Sequence, residues 1–112
     1  MSLQHVCDVT DLEPGEAMRL DLETEDGRAR PVAIVRAEDG QYHAISDICT
    51  HGQVSLSEGD VEGSTIECWL HGSQFDLVTG KPLSLPATVP VTVYPLTVEG
   101  EQVFVDIEPT TG

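Results

Sequence analysis

Cys49-Thr50-His51 is followed sixteen residues later by Cys68-Trp69-Leu70-His71, and these two segments decide the interpretation of the chain. Each segment contains one thiol and one imidazole within two or three positions, so one short loop supplies both groups. Thiolates favour iron–sulfur clusters or zinc, and imidazole suits both metals. The four side chains together fit a [2Fe–2S] centre in which two Cys hold one iron and two His hold the other. The spacing therefore predicts that two loops enclose one metal centre.

These segments have two alternative interpretations. The four side chains could be unrelated core residues, but two close Cys/His pairs in a chain with only three Cys and four His argue against coincidence. The second alternative is structural zinc. Mixed zinc sites usually have two Cys close together and two His close together, whereas each segment here mixes one of each. The arrangement favours iron over zinc, and zinc remains the alternative at this point.

Gly52 and Gly72 directly follow the two His. Because glycine has no Cβ, the backbone at these positions can approach a metal cluster closely, and its N–H groups could reach the sulfurs. No helical pattern surrounds either segment, so both are predicted to be loops that project from β-strands.

Short strands separated by Gly, Pro and Asp turns dominate the rest of the chain, which predicts an all-β sandwich or partly open barrel. Pro95 within one of these strands predicts an edge position or a bulge, since proline cannot donate to the ladder. Gly100 predicts a hairpin turn between the last two strands. The predicted strands are 16–22, 31–35, 41–45, 64–69, 91–98 and 102–107, and a small cluster-binding subdomain is expected at about 47–87.

The length of 112 residues predicts a single domain, 1–112. No stretch approaches the ~20 apolar residues of a transmembrane helix. The N-terminus lacks the basic start and apolar run of a secretory signal, so we expect a cytoplasmic protein. Three Cys in a cytoplasmic chain argue against a disulfide framework.

The net charge is −15, from 20 acidic and 5 basic residues. This charge disfavours binding to nucleic acid or to an anionic membrane, and it favours a partner with a basic patch. The alternative explanation is that the acidic residues only keep the protein soluble. Both explanations can hold together.

The two segments, continued as His71-Gly72-Ser73, resemble the signature of Rieske [2Fe–2S] proteins. The similarity extends through Phe75-Asp76, Thr79-Gly80-Lys81-Pro82, Leu85-Pro86-Ala87 and Val93-Tyr94-Pro95. The chain is most similar to stand-alone Rieske-type ferredoxins. A narrower similarity is to ferredoxins named as non-haem iron oxygenase subunits and often encoded beside iron–sulfur assembly genes.

The resemblance implies a monomeric one-electron carrier, not an enzyme, with one [2Fe–2S] cluster per chain. It would take electrons from a flavin- or NAD(P)H-linked reductase and pass them to a non-haem iron oxygenase, and both partners are expected to have basic docking patches. The alternative role is that of a redox or cluster-status protein associated with iron–sulfur assembly.

The resemblance also assigns roles to individual residues. Cys49 and Cys68 would bind the inner iron, and His51 and His71 would bind the outer iron. Pro86 would lie in a third loop that shields the cluster. Ser73 occupies the position whose hydroxyl bonds a bridging sulfide in respiratory members of the family.

Three residues depart from the respiratory members. Phe75 stands where they have Tyr, and Val54 and Leu70 stand where they have a disulfide. Hydrogen-bond donors to the cluster sulfurs raise the reduction potential, and Phe75 removes one donor. We therefore expect a potential in the low part of the Rieske range, near about −150 mV.

Four further residues are predicted to lie outside the metal centre. Cys7 is expected to be a small buried residue, His43 to be structural or at the surface, and His5 to be exposed. Trp69 is expected to pack beneath its loop in preference to forming a docking surface.

Overall fold

The computed structural model describes residues 3–24, 27–50, 54–70, 72–85 and 87–107. These residues form ten strands and one short 3₁₀ turn, Leu56–Glu58. None of them forms a helix of the length and apolar character needed to cross a bilayer. The strands are β1 (Leu3–Asp8), β2 (Ala17–Glu23), β3 (Ala29–Arg36), β4 (Tyr42–Ser46), β5 (Asp60–Glu62), β6 (Thr65–Glu67), β7 (Gln74–Asp76), β8 (Val93–Tyr94), β9 (Leu96–Glu99) and β10 (Gln102–Asp106).

The strands form three antiparallel sheets, which confirms the predicted all-β class, and the sheets do not close into a barrel. The first sheet has the order β1-β10-β9, the second β2-β3-β4-β8, and the third β5-β6-β7. The β9–β10 hairpin pairs Glu99 with Gln102, and Gly100 has a φ of 62°, as the sequence predicted.

Strand β3 separates two hydrophobic cores, because successive side chains of a strand point to opposite faces. Val32 and Ile34 pack with Val103 and Val105 of the first sheet, whereas Val35 packs in the other core with Phe75. All six side chains are fully buried. Strand β3 is therefore covered on both faces, which is what its run of consecutive apolar residues indicates.

The second core lies under the predicted metal loops. It brings Ile45 of β4 against Ile66, Phe75 and Leu77, which come from the third sheet and the turn that follows it. The pairing of β7 with β6, and the short strand β5, were not predicted from the sequence.

Pro95 divides the strand that the sequence predicted at 91–98, so the prediction of one continuous strand is wrong. Strand β8 pairs with β4 in the second sheet, and β9 pairs with β10 in the first sheet. Pro95 has no N–H to donate, and its carbonyl oxygen instead accepts the N–H of Asp106 at 3.0 Å. The chain crosses from one sheet to the other at this residue.

Candidate metal centre

The first metal loop follows strand β4, and its two described arms, 48–50 and 54–55, pair with each other. The N–H of Cys49 donates to the carbonyl oxygen of Val54 at 2.9 Å, and Ile48 pairs with Ser55 in an isolated bridge. The Cys49 side chain is 1% exposed. This pairing therefore directs one thiol into the core beneath the loop.

The base of this loop is fixed by Asp47, which is completely buried. Its carbonyl oxygen accepts the N–H of Leu56 at 2.6 Å, and its carboxylate Oδ1 accepts the N–H of Ser57 at 2.8 Å. Both arms of the loop are thus held by one residue. The nearest cation is Arg19 of β2, whose Nε lies 3.7 Å from Oδ2.

The second metal loop is a tight turn between β6 and β7. The N–H of Cys68 donates to the carbonyl oxygen of Ser73 at 2.7 Å, and the N–H of Gly72 donates back to the carbonyl oxygen of Cys68 at 2.9 Å. Gly72 has a φ of 74°, a conformation that favours glycine. Cys68 is 1% exposed, so this loop also directs its thiol inward.

A third loop, residues 82–91, is bonded to both metal loops. The Oγ of Ser73 accepts the N–H of Ala87 at 3.1 Å, and the Oγ of Ser84 accepts the N–H of Gln74 at 3.0 Å. On the other side, the hydroxyl of Thr50 donates to the carbonyl oxygen of Val89 at 2.7 Å. These bonds hold the three loops together as one unit.

Gly80 anchors the far end of the third loop. Its carbonyl oxygen accepts the N–H of Val91 at 2.8 Å, and a Cβ at Gly80 would lie only 2.1 Å from the Val91 carbonyl oxygen. The backbones approach too closely for a side chain at this position, and φ is 79°. This is the structural requirement behind the Thr79-Gly80-Lys81-Pro82 motif.

The structure brings Cys49 and Cys68 into the same buried core. His51, Gly52, His71 and Pro86 lie outside the described residues, so their predicted roles stay predictions. Within the described residues, no group of three or more His, Cys, Asp or Glu is arranged to hold a metal ion. The described donor set, two buried thiols at the bases of two loops that each continue into a His, fits the Cys half of a [2Fe–2S] centre.

Exposed apolar side chains are concentrated in the second and third loops, beside the carboxylate of Glu67, whose Oε1 lies 3.4 Å from the position of a Cβ at Gly72. Six of the eight exposed large hydrophobic residues of the described chain lie between positions 69 and 89: Trp69, Leu70, Val78, Leu83, Leu85 and Val89. Segments 48–57, 68–75 and 82–98 contain no Asp, Glu, Lys or Arg, although the net charge is −15. Trp69 is 53% exposed, so the prediction that it packs beneath the loop is wrong.

The remaining Cys and His are placed away from these loops. Cys7 belongs to the core between the first two sheets, and burial raises the pKa of its thiol, with Asp11 and Asp8 adding to the effect. His5 is exposed and lies 3.1 Å from Asp8. None of the three Cys, all within the described residues, forms a disulfide.

His43 is partly buried on β4, and its Nε2 is a buried atom without a hydrogen-bond partner among the described residues. Burial lowers the pKa of His43, and the charges of Asp39 and Asp76 oppose that shift. The prediction that His43 is structural or at the surface stays a prediction, with the side chain partly buried on β4.

Comparison with known proteins gives the family. Residues 2–95 match the sequence profile of the Rieske [2Fe–2S] domain. The chain belongs to the Rieske [2Fe–2S] domain family. The match covers both metal loops and the third loop, so the family's [2Fe–2S] cluster takes precedence over structural zinc.

Several relatives of this Rieske domain are ferredoxin components of oxygenases. The chain is 44% identical over 108 residues to the 3-phenylpropionate/cinnamic acid dioxygenase ferredoxin subunits of Shigella boydii and Escherichia coli K12, covering 96% of this chain and 95% of each relative. Among solved structures, the complex of reduced oxygenase and oxidised ferredoxin in carbazole 1,9a-dioxygenase is similar at a TM-score of 0.83 and 41% identity, covering 92% and 100% of the two chains. The carbazole dioxygenase ferredoxin of Nocardioides aromaticivorans IC177 matches at a TM-score of 0.82 and 33% identity, covering 94% and 97%.

Sequence reasoning missed several residues that hold this site together. Asp47 lies two positions before Cys49, and a buried acid at the base of a metal loop has no periodic signature. Thr50 and Ser84 bond to carbonyl oxygens or N–H groups far along the chain, which local sequence does not reveal.

Proposed function

We propose that this chain is the one-electron carrier of an oxygenase system, with one [2Fe–2S] cluster held by Cys49, Cys68, His51 and His71. The observation that carries the proposal is the placement of two buried thiols in one core, at the bases of two loops that each continue into a His. The cluster would accept one electron and release it. The protein residues hold the cluster, exclude water from its inner side and set its potential.

The test of this proposal is the metal content after anaerobic purification. We expect about two irons and two sulfides per chain, and a rhombic EPR signal of the Rieske type after reduction. Cys68→Ala should lose the cluster, whereas Cys7→Ala, which removes a buried thiol from the other core, should keep it. Bound zinc without iron, or an unchanged cluster in Cys68→Ala, would contradict the assignment.

Three further residues are proposed to tune the cluster. The Oγ of Ser73 already accepts the N–H of Ala87, so its proton remains available to a bridging sulfide. Gly72 allows the backbone to turn closely after His71. Phe75 is fully buried in the same core as both Cys and offers no hydroxyl donor.

The proposed docking face consists of Trp69, Leu70, Leu85 and Val89. The first two residues lie on the second metal loop and the other two on the third loop; all four are exposed and belong to segments without formal charge. The occupant is a terminal oxygenase with an apolar contact surface and basic residues around it. The basic residues would face the acidic residues of this chain, all of which lie outside segments 48–57, 68–75 and 82–98. The acids would accelerate the encounter over long range, and the apolar face would make the contact. A related ferredoxin occurs in complex with its oxygenase.

Electron transfer to the oxygenase of the 3-phenylpropionate system tests this face. Trp69→Ser should raise the concentration for half-maximal rate about fivefold or more, since a large aromatic side chain at an interface contributes ~1 kcal/mol or more. Val98→Ser, at a 44% exposed position on β9, is the matched control and should leave the rate unchanged. Equal effects of the two substitutions would place the contact elsewhere.

The proposal extends to the electron donor, the oligomeric state and the location of the protein. A flavin- or NAD(P)H-linked reductase with a basic patch would supply the electron. A monomeric carrier suits this exchange, because the same cluster face can then meet each partner in turn. A cytoplasmic location is supported by three Cys that form no disulfide.

A further inference from the structure

The Asp47 carboxylate is a buried charge directly below the first metal loop. Its exposure is 0%, and Oδ1 accepts the N–H of Ser57. Oδ2 is buried without a hydrogen-bond partner in the described part of the chain, and its nearest cation is the Nε of Arg19 at 3.7 Å. A buried carboxylate oxygen with only an ionic neighbour leaves much of its charge uncompensated.

Arg19 connects this carboxylate to the other arm of the loop. Its Nη1 donates to the Oγ of Ser55 at 3.2 Å, and its Nη2 lies 3.3 Å from the exposed carboxylate of Asp21. The Arg19 side chain is 46% exposed, so solvent screens it more than it screens Asp47. The pair spans from β2 to the base of the loop that contains Cys49.

We propose that Asp47 and Arg19 are positioning residues that set the reduction potential of the cluster, Asp47 by opposing the added electron and Arg19 by offsetting Asp47. This inference rests on the proposed cluster. Asp47 lies two positions before Cys49, so their Cα atoms lie within about 7.6 Å. Reduction adds one negative charge to the cluster, and a buried charge at such a distance is weakly screened by salt. The charges of the exposed acidic residues are screened more strongly by water and salt, so they affect the reduction potential less.

The test is the midpoint potential of purified, cluster-loaded variants, measured by protein-film voltammetry. Arg19→Gln should lower the ratio of reduced to oxidised cluster at a fixed potential at least threefold, and Asp47→Asn should raise it at least threefold. Each change corresponds to about 28 mV at 59 mV per tenfold change. Arg19→Lys keeps the charge and should stay close to the parent. The double variant, Arg19→Gln with Asp47→Asn, should have a reduced-to-oxidised ratio closer to that of the parent than either single variant.

The opposite signs separate an electrostatic role from a merely structural one. A loosened loop would shift both single variants in the same direction, and such a result, or no shift in either, would overturn the inference. Arg30→Gln removes an exposed cation from β3, and Asp21→Asn removes the exposed acid beside Arg19; each should change the ratio less than 1.5-fold. If Asp47→Asn does not fold, the comparison of Arg19→Gln with Arg19→Lys tests the inference: only Arg19→Gln should lower the reduced-to-oxidised ratio. A parent protein without iron would overturn the proposed function itself.

Discussion

Replacing Ser73 by alanine would remove the proposed hydroxyl–sulfide bond and also the bond from the N–H of Ala87, and the two losses have different expected effects. The hydroxyl is fully buried, so no water competes for its proton. A hydrogen bond to a charged group contributes ~1.5–3 kcal/mol, of which we take ~1–2 kcal/mol as the difference between the reduced and oxidised cluster. At 59 mV per ~1.4 kcal/mol for a one-electron couple, Ser73→Ala should lower the midpoint by about 40–90 mV. Protein-film voltammetry at neutral pH measures this shift, and the visible spectrum should stay unchanged because no ligand is replaced.

The second effect of Ser73→Ala is structural and needs its own control. The N–H of Ala87 loses its acceptor, which costs about 1–3 kcal/mol of stability for a buried group. Ser84→Ala removes the neighbouring bond between the same two loops, since the Oγ of Ser84 accepts the N–H of Gln74. Ser84→Ala should therefore loosen the third loop with a midpoint shift below ~10 mV, well under one hydrogen bond to a charge. Equal shifts in the two variants, or less than ~10 mV in Ser73→Ala, would refute the assigned hydroxyl–sulfide bond.

Three other perturbations have distinct expected outcomes. Phe75→Tyr should raise the midpoint by several tens of millivolts, about one hydrogen bond to charge, if the new hydroxyl reaches a sulfur, and voltammetry measures it. Thr50→Val removes the bond to the Val89 carbonyl oxygen and should speed bleaching of the visible spectrum by a chelator several-fold; an unchanged rate would show that this bond does not protect the cluster. Burial lowers the pKa of His43, so the unfolded state binds more protons and stability should fall as pH drops through about 6.5. His43→Gln should weaken that dependence in thermal unfolding between pH 7.5 and 5.5, and an unchanged dependence would show that His43 is not its source.

The run around Val32–Val35 shows how much of the fold local sequence can predict. Consecutive apolar residues are typical of a strand that is covered on both faces, and that prediction required no tertiary information. Strand 91–98 shows where local prediction fails. Its residues have one continuous strand pattern, but Pro95 removes a ladder donor, and the two halves join different sheets. Which sheet each half joins depends on partners far along the chain.

Trp69 marks a similar boundary at the candidate site. An aromatic residue between two predicted ligands suits either a packed loop or an exposed face, and only the surrounding loops decide between them. The tight bonds among Cys68, Gly72 and Ser73 leave the ring 53% exposed. Trp69 therefore contributes exposed apolar surface to the second metal loop.

Local sequence was enough to predict two Cys/His metal loops, with iron favoured over zinc, and the all-β class. Ligand type and spacing are local properties, since a thiol and an imidazole two or three residues apart can serve one centre on any suitable loop. The tertiary structure decided which residues surround that chemistry. It placed Asp47 and Arg19 under the first loop, bonded the third loop to Ser73 and Thr50, and left Trp69 and Leu85 exposed. These contacts join residues that are 14 (Ser73 and Ala87), 28 (Arg19 and Asp47) and 39 (Thr50 and Val89) positions apart. Only the folded chain brings such residues together.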